Sequence, residues 1–261
     1  MRVRGYPPAS LCWFDLWCQD PAGVADFYGQ LLGWTTRGGP DDGRLDFLLP
    51  DLVAAGATAA ADGPAAWMVF ISTDDIAATV AAVTSAGGRV VSPPAQVGTR
   101  GQAAVCADPQ GAVFGLWQRA TFAGTQVQRE PGSPSWSELW TRDTAGATAF
   151  YKDVFDWSER AGELVATVDY GEFYTAGRTV GGLVAITPDM PAALAPRWGV
   201  TFEVADCAAV AQRCAALGGA VVIRPMSVGV GTAAFLVDPQ GAIFGIFEPI
   251  PELLDTTHAA L

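Results

Sequence analysis

Hydrophobic and polar residues along the first stretch of the chain alternate with a period of two. Trp13, Asp15 and Trp17 fall on one face of a predicted strand over residues 11–18, and Cys12, Phe14, Leu16 and Cys18 fall on the other. The period changes after Asp20. That residue is suited to cap a helix with Pro21 at its first position, and the predicted helix runs to about Leu32, where Gly33 stops it. Short strands separated by turn residues should follow. A second unit of the same kind opens at Trp67. Its first strand is Met68-Val-Phe-Ile-Ser-Thr73, and Asp74 or Asp75 caps a helix to Ala86 that Gly87-Gly88 terminates. Strands over 89–92 and 103–107, a turn at Asp108-Pro-Gln-Gly111 and a last strand over 112–118 complete it.

The whole pattern then returns. Trp13-Phe-Asp-Leu-Trp17 reappears as Trp136-Ser-Glu-Leu-Trp140, and Phe27-Tyr-Gly-Gln-Leu-Leu-Gly-Trp34 as Phe150-Tyr-Lys-Asp-Val-Phe-Asp-Trp157. Ala107-Asp-Pro-Gln-Gly-Ala-Val-Phe-Gly-Leu-Trp117 reappears as Val237-Asp-Pro-Gln-Gly-Ala-Ile-Phe-Gly-Ile-Phe247. Asp143 repeats the helix cap and Gly218-Gly219 repeats the second helix stop. An internal repeat on this scale fixes the architecture before any local motif does. The expectation is an α+β chain of two domains, 9–120 and 135–250, joined by a linker over 121–134 that contains Pro131, Gly132, Ser133 and Pro134. Each domain consists of two βαβββ units. The tail from Pro249 is short and expected to be loosely held.

Composition narrows the function classes. Half of the residues are hydrophobic and 16% are charged, as in a compact globular protein rather than a disordered one. The net charge of −12 opposes binding to a nucleic-acid backbone or an anionic membrane surface, and would tolerate a cationic small molecule. No apolar run approaches the roughly 20 residues of a membrane span. Basic residues at the N-terminus lack the apolar stretch of a secretory signal. The 5 cysteines include no CxxC pair and read as small buried hydrophobes in a reducing, cytoplasmic setting.

The Asp-Pro-Gln-Gly turn before a hydrophobic strand, the Phe-Tyr pair ahead of Gly-Trp or Asp-Trp, and the Gly-Gly helix stop together resemble the vicinal oxygen chelate superfamily. Glyoxalase I, bleomycin-resistance proteins and extradiol dioxygenases belong to it, and the likeness to tandem two-domain actinobacterial members covers almost the whole chain. The resemblance implies two glyoxalase-like domains whose strands curl into cups. In metal-dependent relatives His or Glu residues on inward strand faces hold the metal. Those positions fall here at Trp13 and Trp136 on the first strand of each copy, at Met68 and Gly199 on the first strand of the second unit, and at Gly115 and Gly245 on the last strand. The fourth-strand position lies near Leu45–Leu49 or Gly181–Ala185, neither of which supplies a ligand set. The chain has 1 histidine, His258, in the tail. Trp and Gly cannot coordinate a metal and Met is too soft for Mg, Mn or Fe, so neither a catalytic metal nor another cofactor is expected.

An aromatic cup is expected in place of a chelating one. Trp13, Asp15, Trp17, Met68, Phe70, Gly115 and Trp117 line the first, and Trp136, Glu138, Trp140, Gly199, Thr201, Gly245 and Phe247 line the second. Trp rings stack planar guests and hold cations over their faces. Glycines at 115, 199 and 245 leave room for a flat ligand beside the backbone. The same indoles read equally well as core packing kept after duplication. Trp34 and Trp157 read as packing, and Trp67 and Trp198 turn away from the cups towards the helices or a domain interface. Two functions follow. One is metal-independent binding of a planar hydrophobic aromatic molecule, and the resemblance implies a natural product or antibiotic bound for sequestration, resistance or support of a biosynthetic pathway, with a biosynthetic oxygenase as a partner. The other is a metal-independent isomerase, cyclase or oxygenase-associated enzyme with Asp15 or Glu138 as acid or base. Both cups or only one could serve, in a monomer of two packed domains or in a homodimer.

Overall fold

A computed structural model describes residues 1–38, 44–60, 63–162, 170–192 and 194–250. His258 lies outside the described residues. Four βαβββ units follow one another. The first contains β1 (Leu11–Cys18), α1 (Pro21–Leu32), β2 (Thr35–Arg37), β3 (Arg44–Leu49) and β4 (Leu52–Ala59). The second contains β5 (Ala66–Ser72), α2 (Ile76–Ser85), β6 (Arg89–Val97), β7 (Gly101–Ala107) and β8 (Val113–Arg119). The repeat gives β9 (Pro134–Thr141), α3 (Thr144–Phe155), β10 (Ser158–Ala161), β11 (Tyr170–Thr175) and β12 (Arg178–Ala185). It ends with β13 (Arg197–Glu203), α4 (Cys207–Ala216), β14 (Ala220–Ser227), β15 (Gly231–Val237) and β16 (Ile243–Pro249). Among the described residues no helix is long and apolar enough to cross a membrane.

The helix boundaries have the chemistry read from the sequence. Asp20, Asp75, Asp143 and Asp206 each accept a backbone N–H from the first turn of the helix they precede. Gly33 closes α1 with φ of 77° and Asp156 closes α3 with φ of 57°, both left-handed. The first sheet runs β2-β3-β4-β1-β5-β8-β7-β6 and the second repeats that order with β10-β11-β12-β9-β13-β16-β15-β14. In each, the first strands of the two units pair antiparallel at the centre, and each pairs parallel with the last strand of its own unit.

The opposite face of each sheet packs against its own helices and against the other copy. Phe14, Leu16, Trp34, Trp67 and Phe114 from the first half form one continuous core with Tyr151, Trp157, Trp198, Phe202 and Phe244 from the second. Trp34 and Trp67 meet the Phe202 ring at 5.3 Å and 5.0 Å, and α1 lies beside α4 as α2 lies beside α3. The polar groups in this core are paired reciprocally. The Trp67 indole donates to the Tyr28 hydroxyl at 3.0 Å, and Tyr28 donates to Asp238 at 3.2 Å. Trp198 donates to Tyr151 at 2.8 Å, and Tyr151 donates to Asp108 at 3.5 Å. The Phe-Tyr pair of one copy therefore meets the Asp-Pro-Gln-Gly turn of the other. Trp34 and Trp157 repeat the pattern, donating to the carbonyls of Gly132 and Ala9 just ahead of the other copy's first strand. Trp67 and Trp198 thus face the domain interface, and the buried Tyr and Trp each find the partner that burial demands.

Two local expectations change. Cys12 does not share the face of Phe14 and Leu16. The register of β1 against β5 shifts between Leu11 and Trp13, and this turns Cys12 into the cluster containing Trp13 and Phe70. The segment after β8 is not a simple spacer either. Thr125 and Gln126 bond to the backbone of Cys12 and Val53, Val3 pairs with Gln126, and Phe122 folds back onto Trp13.

Candidate functional site

The central strands place the expected residues on inward faces, and the two cups that result are unlike. In the first, Trp13, Met68, Phe70 and Trp117 are buried together with Cys12, Val53 and Val105. Phe122 caps them, with its ring centroid 4.9 Å from Trp13 and its carbonyl accepting the Trp117 indole N–H at 2.9 Å. Arg100 lies over the Phe122 ring at 3.7 Å and bonds to Asp46 at 2.7 Å, which closes the mouth. Asp15 is 1% exposed and accepts the Thr58 hydroxyl at 2.6 Å and the indole N–H of half-buried Trp17 at 2.9 Å. Burial raises its pKa, while the charge of Arg44 and those two hydrogen bonds pull it back.

The second cup is open. Trp136, Glu138 and Trp140 on β9, Gly199 and Thr201 on β13, and Phe247 on β16 all remain partly exposed. Glu138 stands opposite Gly199 across β9 and β13, and beside Gly182 on β12. A hydrogen-bond relay crosses the floor: the Trp136 indole donates to the Tyr170 hydroxyl at 2.9 Å, and Tyr170 and Trp140 both hydrogen-bond to Glu138. Burial pushes the Glu138 carboxyl up to about 7, against the pull of those hydrogen bonds. Burial also raises the Tyr170 phenol, with the Glu138 charge adding to it. At the rim, Arg197 lies over the Trp140 ring at 5.7 Å, and Phe235 packs edge-on to Trp140 at 5.6 Å.

The three glycines expected to leave room behave differently. A Cβ on Gly115 would stand 2.1 Å from the Phe70 ring, and one on Gly245 would stand 2.3 Å from the Thr201 hydroxyl. Those two spaces are already filled by neighbours, so the expectation of a free approach to the backbone does not hold there. At Gly199 the nearest atom is 3.9 Å away, and the space beside Glu138 is free. Gly182 has another use: a Cβ there would strike the Tyr170 hydroxyl at 2.4 Å, so its lack of a side chain lets Tyr170 reach Glu138.

Several contributors were not singled out from the sequence. Arg197 alternates with Gly199 and Thr201, and Phe235 with Ala233, so period-two counting along β13 and β15 reaches both. Tyr170 and Arg44 carry no such signal. They stand at matching register positions, opposite Val184 and Thr58, on strands preceded by segments of unequal sequence.

The glyoxalase-like domain family matches residues 12–117, and the glyoxalase/bleomycin resistance protein/dioxygenase superfamily matches residues 133–246. CFP32 of Mycobacterium tuberculosis (strain CDC 1551 / Oshkosh), named as a glyoxylase, is 35% identical over 250 residues, covering 92% of this chain and 95% of its own. The chain belongs to this superfamily. The anthracycline biosynthesis protein DnrV of Streptomyces peucetius is 34% identical over 266 residues, covering 93% of this chain and 94% of its own. The fold is also that of the Mn(II)-bound glyoxalase from Novosphingobium aromaticivorans, with a TM-score of 0.64 at 17% identity, covering 92% of this chain and 82% of that one.

A metal of the kind seen in that neighbour does not fit these cups. The positions at which the resemblance places metal ligands carry Trp13, Met68 and Gly115, and Trp136, Gly199 and Gly245, with Phe70 and Thr201 filling space over two of the glycines. Among the described residues no three His, Cys, Asp or Glu side chains converge to hold an ion.

Proposed function

We propose that the chain binds a planar, hydrophobic aromatic molecule in its second cup, without a metal, while the first cup serves as a structural half. The observation that carries this reading is the contrast at Gly199, where free space lies beside Glu138 between two partly exposed indoles. Trp136 and Trp140 supply flat faces for stacking, and Glu138 and Tyr170 supply a hydrogen-bonding end. In this reading Trp13, Trp17, Met68, Phe70, Gly115 and Trp117 hold the first domain together rather than a guest. The resemblance to a protein named for anthracycline biosynthesis supports a role in making or handling an aromatic natural product, sequestering it or presenting it to a biosynthetic oxygenase.

A second reading rests on Glu138 itself. A carboxyl brought up to about 7 can both give and take a proton near neutrality, so a metal-independent isomerase or cyclase would use it as general acid or base with Tyr170 beside it. Asp15 suits that role poorly, since Thr58, Trp17 and Phe122 enclose its cup.

Titrating hydroxyanthraquinones against tryptophan fluorescence, then recovering the compound, tests both readings. Saturable binding with the compound recovered unchanged is the expected result. Conversion of the compound that disappears in Glu138→Gln supports the enzyme. Binding of every compound equally by Trp136→Ala, Trp140→Ala and the parent defeats the assignment of the cup.

A further inference from the structure

One cleft in the described residues opens beside the cups and shares Trp136 with the second. It has a volume of about 210 Å³ and sits between the N-terminal segment, the strand β9 and the start of β12. Leu11, Phe14 and Val180 form its apolar wall, and Ser10, Ser137 and Arg178 form its polar wall. Its origin is visible in the repeat. Ser137 occupies on β9 the place that Phe14 occupies on β1, so a ring fills one half of the cleft and a hydroxyl leaves the other half empty.

Ser137 is 2% exposed, and its Oγ has no hydrogen-bond partner among the described residues. Buried hydroxyls in that state are uncommon and call for an explanation. Arg178 reaches across the domain interface and donates from Nη1 to the Ser10 hydroxyl at 3.1 Å. A guanidinium carries five N–H donors in a fork suited to a carboxylate, so this bond leaves donors to spare. Arg129 also lines the cleft, with the Glu203 charge offsetting part of its own. The N-terminal amine is taken by Glu130 and the Gln128 carbonyl. The net positive charge of the cleft therefore comes mainly from Arg178, in a chain whose overall charge is −12. That background repels a highly charged anion such as a polyphosphate much more strongly than a monoanion.

We propose that this cleft is a second ligand site, for a small monoanionic carboxylate carried on an apolar ring or short chain. The carboxylate pairs with Arg178 and accepts a hydrogen bond from Ser137, and the apolar part lies against Leu11, Phe14 and Val180. The volume falls below the ~300 Å³ at which drug-sized ligand pockets begin, so the ligand is fragment-sized. The site meets the second cup at Trp136, while Arg178, Ser10 and Ser137, which carry the proposal, belong to the cleft and were not placed in that cup.

Benzoate is the probe, with benzamide as its uncharged counterpart, titrated by calorimetry and by backbone amide shifts on the intact chain. Benzoate should bind saturably and at least about tenfold more tightly than benzamide, the margin a charge-assisted pair gives. Its shifts should centre on Ser10, Ser137 and Arg178. Arg178→Gln should remove that preference, and Trp140→Ala should leave it within about twofold, since separated sites act independently. Ser137→Phe, which restores the ring of the first copy, should abolish benzoate binding. If that variant fails to fold, Arg178→Gln decides. Equal binding of the two probes, no saturation at millimolar concentrations, or loss of benzoate on changing Trp140 rather than Arg178 would each overturn the proposal.

Discussion

The two cups began as one sequence and diverged at their edges rather than at their centres. Both keep two indoles and one carboxylate on the first strand, at 13, 15 and 17 and at 136, 138 and 140. Around Asp15 stand Thr58, Arg44, Arg100 and the Phe122 cap, and that cup is packed. Around Glu138 stand Tyr170, Gly182 and Gly199, and that cup is open and carries a carboxyl that titrates near 7. The comparison teaches that a repeated motif predicts a repeated position and not a repeated use. What encloses a carboxylate decides whether a guest can reach it.

The sharpest way to break the contrast is to truncate the matching indoles. Trp13→Ala should destabilise the chain by about 3–5 kcal/mol, as for a fully packed aromatic, while leaving the ligand affinity of the folded protein unchanged. Trp140→Ala should do the reverse, weakening ligand binding by about 1–3 kcal/mol with a small stability change. Denaturant melts and fluorescence titrations on the same two variants check this. Equal loss of affinity from both would show that the first cup also binds.

The glycines give a second pair. Gly115→Ala drives a Cβ into the Phe70 ring and should cost about 1–3 kcal/mol by overpacking. Gly199→Ala meets open space and should be neutral or stabilising by up to about 1 kcal/mol, because alanine restricts the unfolded chain. Gly199→Leu should leave a folded protein that no longer takes an aromatic guest, and a preserved affinity there would remove Gly199 from the site.

A third test concerns the interface that both cups share. Tyr28→Phe and Tyr151→Phe should each cost about 1–3 kcal/mol, because each strands an indole N–H in the core and removes one hydrogen bond from a buried carboxylate. Matching losses from the two variants would confirm that the halves are locked reciprocally.

The smallest effect is the dependence on pH. The Glu138 carboxyl is raised from its ordinary 4.5 to about 7 in the folded chain, so the protonated form is favoured by folding. Its stabilising contribution is complete below about 4.5 and is lost as the pH rises through 7. Glu138→Gln should flatten that part of the stability profile. In ligand binding, a neutral carbonyl-bearing aromatic should bind more tightly below pH 7 and an aromatic amine more tightly above it. Affinities that do not move between pH 5.5 and 8.5 would show that Glu138 does not face the guest.

Much of the fold was legible because its signals are local. Asp caps, Gly stops and alternating strands depend on near neighbours, and the duplication displays each of them twice. The inward placement of Trp13, Asp15, Trp136 and Glu138 was legible for the same reason. The Cys12 turn was not, because a bulge against β5 shifts the register without leaving a mark on β1. Tyr170 and Arg44 were missed because they reach the carboxylates from the third strand of each first unit, with no motif to mark the register.

By itself the sequence determined that the chain is a tandem of four βαβββ units and that the first strand of each copy carries aromatic and acidic residues on one face. Only the tertiary structure decided that the Phe-Tyr and Asp-Pro-Gln-Gly motifs bond to each other across the domains, and that one cup is filled while the other is open. The reason is physical. Element type follows from spacing along the chain, whereas free volume and the ionisation of a carboxyl depend on groups far apart in sequence. Phe122 over Trp13, Phe70 over Gly115 and Tyr170 beside Glu138 are contacts of that kind, and they separate two cups that share one pattern.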